Sequence, residues 1–180
     1  MKKLILIAFL FTVGSINAQK INWMTMDEAL AAQTKVPKLI FVDMYTNWCG
    51  PCKMMDRNTF ENQDVADYMN EHYYAVKFNA EGNDIVNFNY QTFTNPDFNP
   101  AKVNKRNGLH EFSRYVGIRA YPTVVFINTQ MEVLSAVKSY QTPQRLELYL
   151  KVFATGKYLD LKTQESFDTY SRDFSPQFKG

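Results

Sequence analysis

Leu39-Ile40-Phe41-Val42-Asp43-Met44-Tyr45-Thr46-Asn47-Trp48-Cys49-Gly50-Pro51-Cys52-Lys53 is the stretch that decides how this chain folds. Its first half is an apolar run of strand length, interrupted by the one charge of Asp43, as in a strand buried on both faces of a parallel sheet. Its second half holds the only two cysteines of the chain, two residues apart. Pro51 suits the first turn of a helix, where its missing N–H would have no partner, so a helix is predicted to begin around Cys49 and Gly50. Cys49 then lies at the positive end of that helix, where unpaired N–H groups and the helix dipole stabilise a thiolate. Thiols so placed have pKa values of roughly 3.5 to 7, against about 8.5 for a free cysteine. The thiolate is the nucleophile, so Cys49 is expected to attack and Cys52 to resolve.

Two other uses of the pair compete with this one. A structural staple closing so short a loop removes little chain entropy. A zinc site needs two further ligands; only His72 and His110 could serve, and their wide separation does not match the usual short histidine spacing. Reversible thiol–disulfide chemistry is the favoured reading.

The segment from Phe41 to Lys53 resembles the active-site strand and helix start of the thioredoxin family. A second motif, Gly117-Ile118-Arg119-Ala120-Tyr121-Pro122-Thr123 before the apolar run Val124–Ile127, is similar to the cis-proline loop of that family. The resemblance implies a cis Tyr121–Pro122 bond facing Cys49, with the Tyr121 backbone pairing with an extended substrate strand and Gly50, Pro51 and Thr123 at the same surface. A strand that merely starts at a proline is the plainer alternative. The resemblance further implies that Asp43 helps deprotonate Cys52 and that Lys77 tunes Asp43. Asp43 buried with a raised pKa would accept a proton near neutrality; the alternative is that both residues face water at strand ends or edges. Trp48 is expected at the rim, shielding the sulfur and touching substrate, unless it simply packs.

Outward from these motifs, Met1-Lys2-Lys3, an apolar stretch from Leu4 to Val13, and the small and polar residues Gly14 to Ala18 form the pattern of a secretory signal peptide cleaved after Ala18. The stretch is shorter than the roughly 20 residues a spanning helix needs, so no stable membrane insertion is expected after cleavage. Without residues 1–18 the 20 basic residues fall to 18, against 18 acidic ones. The basic excess thus belongs to the export signal and gives no indication of nucleic-acid binding.

Residues 19–157 are expected to form one thioredoxin-like domain, an α/β fold with a mixed central sheet and helices on both faces. Helices are predicted over Met26–Gln33, Cys49–Asn58, from Asn62 to His72, Glu111–Val116 (with Phe112, Tyr115 and Val116 inward) and Pro143–Ala154. Strands are predicted over Lys38–Tyr45, Tyr73–Asn79, Val124–Asn128 and Met131–Lys138. His72 is expected to pack or cap its helix, and His110 to lie on the surface. An asparagine- and aromatic-rich insertion spans about 81–107; its alternation of Val86, Phe88 and Tyr90 with polar residues predicts an added strand or hairpin, serving as a lid, a recognition loop or a surface ornament. In the C-terminal extension, 158–180, Phe167, Tyr170 and Phe174 have helical spacing and predict a short docked helix.

These expectations combine into a periplasmic or secreted thiol–disulfide oxidoreductase, with reduction favoured because Gly50-Pro51 resembles the reducing members of the family. Its only redox group would be the Cys49–Cys52 pair, with no separate cofactor and no metal. Expected partners are disulfide-containing exported proteins and a membrane or periplasmic thiol electron donor. The alternative is an interaction module that binds a partner through its groove and insertion while the cysteines idle.

Overall fold

Burial on both faces accounts for the apolar run at the centre of the chain. In the computed structural model, which describes residues 20–180, Leu39–Tyr45 forms the middle strand of a five-stranded sheet. The expected signal segment, 1–18, lies outside the described residues. In order, the elements are β1 (Trp23–Met24), α1 (Met26–Lys35), β2 (Leu39–Tyr45), α2 (Gly50–Met55), α3 (Gln63–His72), β3 (Tyr73–Asn79), β4 (Val86–Phe88) and β5 (Gln91–Phe93). They continue with α4 (Glu111–Tyr115), β6 (Thr123–Ile127), β7 (Val133–Lys138), α5 (Pro143–Ala154) and α6 (Gln164–Asp173). The sheet order is β1-β3-β2-β6-β7; β1, β3 and β2 run parallel, and β6 and β7 complete the other side antiparallel. Among the described residues, no helix is long and apolar enough to cross a membrane.

The period of two along β2 divides the core. Ile40, Val42 and Met44 face one side, with Met26 and Ala29 of α1 and Phe112 of α4. Phe41 faces the other, among Met55, Phe60, Val65, Met69, Leu146, Leu150 and Phe153 from the α2, α3 and α5 side. By the same alternation Asp43 shares the face of Phe41, the one that α2 covers.

Helix starts follow local capping chemistry. Thr25 and Glu28 form a reciprocal capping box for α1, Asn62 caps α3, and Thr142 caps α5 just before Pro143. The active-site helix departs from its expected end at Asn58: it is α-helical only to Met55 and widens into a π turn over Asp56–Phe60. Strand β7 begins at Val133, not Met131, because Asn128 Oδ1 accepts the amides of Gln130 and Glu132 and holds Met131 at φ +62° in the turn.

The insertion forms a β4–β5 hairpin whose turn residues, Asn89 and Tyr90, both have positive φ, as a two-residue hairpin turn requires. Val86, Phe88 and Phe93 enter the main core beside Phe112, so this part is structural and not a free-standing ornament. Asn95 Nδ2 bonds the carbonyls of both Gly82 and Gly108 at 2.8 Å and ties the two ends of the insertion together.

Two expectations on the α4 side are corrected. Tyr115 is 44% exposed, although its ring still meets those of Phe88, Phe93 and Phe112. His110 is fully buried: its ring packs edge-on against Phe78, Nε2 meets the Asp84 carbonyl at 2.7 Å, and Nδ1 accepts the Phe112 amide, so it caps α4 from inside. In the extension, α6 lays Phe167 on Tyr149.

Candidate active site

The chain leaves β2 at Tyr45, turns through Thr46–Trp48 and enters α2 with Cys49 as its N-cap. The Cys49 amide bonds the Thr46 carbonyl at 3.1 Å, and Cys49 Sγ accepts the Cys52 amide at 3.1 Å. A sulfur in that position receives an otherwise unpaired helix N–H, the local chemistry that favours negative charge there. Cys49 and Cys52 are joined in a disulfide with Cα atoms 5.3 Å apart, and each is 2% exposed. Gly50 and Pro51, between them, are exposed.

On β2, Asp43 is 1% exposed, and its Oδ2 accepts Lys77 Nζ at 3.0 Å. The two residues are register partners on β2 and β3, which places the ammonium beside the carboxylate. Burial raises the Asp43 pKa from 3.8 to about 6, against the opposing attraction and hydrogen bond of Lys77. Asp43 Oδ1 is buried without a hydrogen bond, leaving an oxygen free to take a proton. Lys77 is also bonded to Asp56 Oδ1 in the π turn, and its ammonium lies over the rings of Trp23, Tyr45 and Phe60. Burial works against the ammonium charge, but Asp43 and Asp56 outweigh it and hold the Lys77 pKa above its usual value.

Above the pair lies a cleft of about 470 Å³, lined by Trp48–Pro51, Glu81, Arg106 and Arg119–Tyr121. The Tyr121–Pro122 bond is cis, Pro122 is buried, and Thr123 pairs with Met44 on β2. Trp48 is half-buried and clamped: its Nε1 donates to Glu81 Oε2 at 2.7 Å, its ring meets Tyr121 edge-on at 5.7 Å, and the Arg106 guanidinium lies 5.1 Å over it. Burial, together with the charge and hydrogen bond of Glu81, raises the Tyr121 pKa, so its phenol stays protonated.

The fold thus brings Cys49, Trp48, Gly50, Pro51 and Tyr121 to one cleft, keeps Cys52 buried behind the disulfide, and pairs the buried Asp43 with a half-buried Lys77. His72 stands apart, its ring against Tyr68. Asp56, Glu81, Arg106 and Arg119 had not been singled out from sequence. Asp56 had a usable signal, since it follows Cys52 by one helical turn; the other three reach the cleft only through the tertiary fold.

The family description "thioredoxin-like domain" matches residues 24–154. The fold is similar to that of a thioredoxin-fold protein from Helicobacter pylori, with 16% identity, 86% of this chain and 88% of that one covered, and a TM-score of 0.58. It is similar to a DsbH oxidoreductase at 16% identity, 83% and 94% coverage and a TM-score of 0.56. A putative disulphide-isomerase from Bacteroides thetaiotaomicron is 29% identical, with 76% and 94% coverage and a TM-score of 0.52. No curated protein matches the sequence.

Proposed function

The chain belongs to the thioredoxin-like domain family, and from that premise we propose that it is an extracytoplasmic thiol–disulfide oxidoreductase acting chiefly as a disulfide reductase. The observation that carries this reading is the Cys49–Cys52 pair at the start of α2, with the Cys49 sulfur accepting a helix N–H beside an open cleft. In the reduced protein the Cys49 thiolate attacks one sulfur of a client disulfide. That S–S bond breaks, a mixed disulfide forms, and the first client thiolate leaves. Cys52 loses its proton to Asp43 and attacks Cys49 Sγ. The internal disulfide re-forms, and the second client thiolate departs with two electrons transferred in all. Asp43 suits the proton step because burial sets its pKa at about 6 and one of its oxygens is unpartnered. Lys77 limits how far that pKa climbs. Tyr121 and Pro122 supply the backbone edge along which the client lies, with Trp48, Gly50, Pro51 and Thr123 around it.

The residue pattern of 1–18 supports export, with residues 19–157 as the domain and 158–180 as its extension. Gly50-Pro51 supports reduction over oxidation. Clients would be disulfide-containing exported proteins, and a membrane or periplasmic dithiol would return the electrons; no cofactor beyond the cysteine pair is needed. Titration in graded glutathione buffers is expected to place the potential near −270 mV, the thioredoxin end of a scale on which strong oxidants lie near about −120 mV. Cys52→Ser is expected to accumulate mixed disulfides with exported proteins, and Cys49→Ser to abolish turnover. A Cys52→Ser protein that collects none in its native compartment, or a biological role untouched by Cys49→Ser, would overturn the reading.

A further inference from the structure

The charges around the active-site cleft are unevenly committed. Glu81 is the one carboxylate among the lining residues, and it is fully engaged: Oε2 accepts Trp48 Nε1 at 2.7 Å and the Asn107 amide at 2.8 Å, and the carboxylate is hydrogen-bonded to Tyr121 as well. Arg106 and Arg119 line the same cleft, both exposed, and among the described residues neither has a hydrogen bond or an ion pair. Arg106 comes from the insertion and Arg119 from the loop leading to Tyr121, so the two cations stand on different segments around Cys49. The guanidinium of Arg106 lies over Trp48, which fixes its plane while leaving its N–H edge free.

Unpaired arginines at a binding cleft favour one partner chemistry. A guanidinium presents a rigid fork of donors that matches a carboxylate in two-point geometry, and an apolar or cationic flank would leave that fork unpaired or opposed. The chemistry of exchange points the same way. A carboxylate beside the attacked client sulfur repels the incoming Cys49 thiolate, and it raises the pKa of the thiol that departs when Cys52 resolves; nearby cations offset both handicaps. We propose that the cleft selects disulfides whose cysteine is flanked by an acidic residue, with Arg106 and Arg119 receiving that carboxylate while Cys49 attacks the sulfur. This rests on the reading of Cys49 as the nucleophile and adds a substrate class to it; the bonds made and broken are those given above.

The test uses the reduced protein and three fluorescence-quenched peptide disulfides, identical except for Glu, Gln or Lys beside the cysteine, with second-order rate constants from single-turnover mixing. The expected order is Glu, Gln, Lys, with about 10-fold between the extremes, shrinking in about 0.5 M salt as screening shortens the reach of the charges. Arg106→Gln with Arg119→Gln is expected to bring the three rates within about 2-fold, whereas Lys53→Gln, outside the cleft lining, retains the order. Equal rates in the unaltered protein, or an unchanged order in the double variant, overturn the substrate class and leave the oxidoreductase reading standing. No reaction with any of the three peptides overturns both.

Discussion

Lys77 Nζ lies 3.0 Å from Asp43 Oδ2, and the two residues face each other in register on adjacent parallel strands. This ties the proton balance of the buried carboxylate to the sheet itself, since neither backbone can shift without breaking the β2–β3 pairing. Asp56 holds the same ammonium from the π turn after α2, so the cation bridges sheet and active-site helix. Burial favours the neutral carboxyl and Lys77 favours the carboxylate; burial wins, and the pKa settles at about 6.

Asp43→Asn is expected to stabilise the oxidised protein, but only where Asp43 would be ionised. The folded-state pKa lies above the unfolded value, so ionisation costs the native state free energy. That cost is absent below about pH 3.8, grows as pH rises, and is complete above about 6. The gap corresponds to about 3 kcal/mol, with the attraction and hydrogen bond of Lys77 already counted in the folded-state value. Denaturant unfolding should show a gain of about 1–3 kcal/mol at pH 8 that vanishes near pH 4. The same variant should slow resolution of the mixed disulfide by about 10²-fold, the scale of a lost proton acceptor. A pH-independent stability change would contradict the assigned burial cost.

Lys77→Met removes the charge that lowers the Asp43 pKa. The midpoint of the pH dependence of resolution should therefore move upward from about 6, by about 1 unit or more. Stopped-flow measurement of the second exchange step from pH 5 to 9 checks this. A downward or absent shift would separate Lys77 from the proton step.

How much of this was legible before the fold was known differs by residue. The β2–α2 junction was readable because its signals are local: an apolar run, Pro51 in a first helical turn, and cysteines one turn apart. The end of α2 was not, since no glycine or proline marks Met55, and the π turn arises where Asp56 reaches Lys77 and Thr59 bonds the Gln141 carbonyl. Asp43 and Lys77 are 34 residues apart, so only resemblance linked them before the strand register did. Glu81, Arg106 and Arg119 carry no periodic or motif signal, because their meeting depends on how the insertion folds back. His110 was misread for a related reason: a lone polar residue after a glycine and a leucine resembles a loop residue until the Asp84 carbonyl and the Phe112 amide are seen to surround it.

His110→Ala should then behave as a loss of a buried cap, not of a surface residue. It removes the acceptor of the Phe112 amide, leaves the Asp84 carbonyl without its partner, and opens a hole beside Phe78. A loss of about 2–4 kcal/mol is expected in chemical denaturation, with the potential of the cysteine pair unchanged. His110→Asn, which can still cap the helix, should recover part of it.

Removing residues 175–180 tests whether the extension is part of the domain's own packing. Glu147 in α5 is fully buried and tolerates this because three donors meet it: Lys151 Nζ at 2.6 Å and the amides of Gln177 and Phe178 at 2.7 and 2.8 Å. The same segment crosses to α3, where Asp64 accepts the Lys179 amide, Asn62 donates to the Lys179 carbonyl, and Phe178 packs on Tyr68. Truncation leaves a buried carboxylate with one donor and uncovers the seam between α3 and α5. The expected loss is about 2–4 kcal/mol, equal in the oxidised and reduced proteins, because none of these contacts reaches the cysteines. Glu147→Gln in the truncated chain should recover part of that loss, since a neutral amide needs fewer donors than a carboxylate. Unchanged stability after truncation would mean that the segment is held in place without contributing to the fold, and would leave it free to serve a partner.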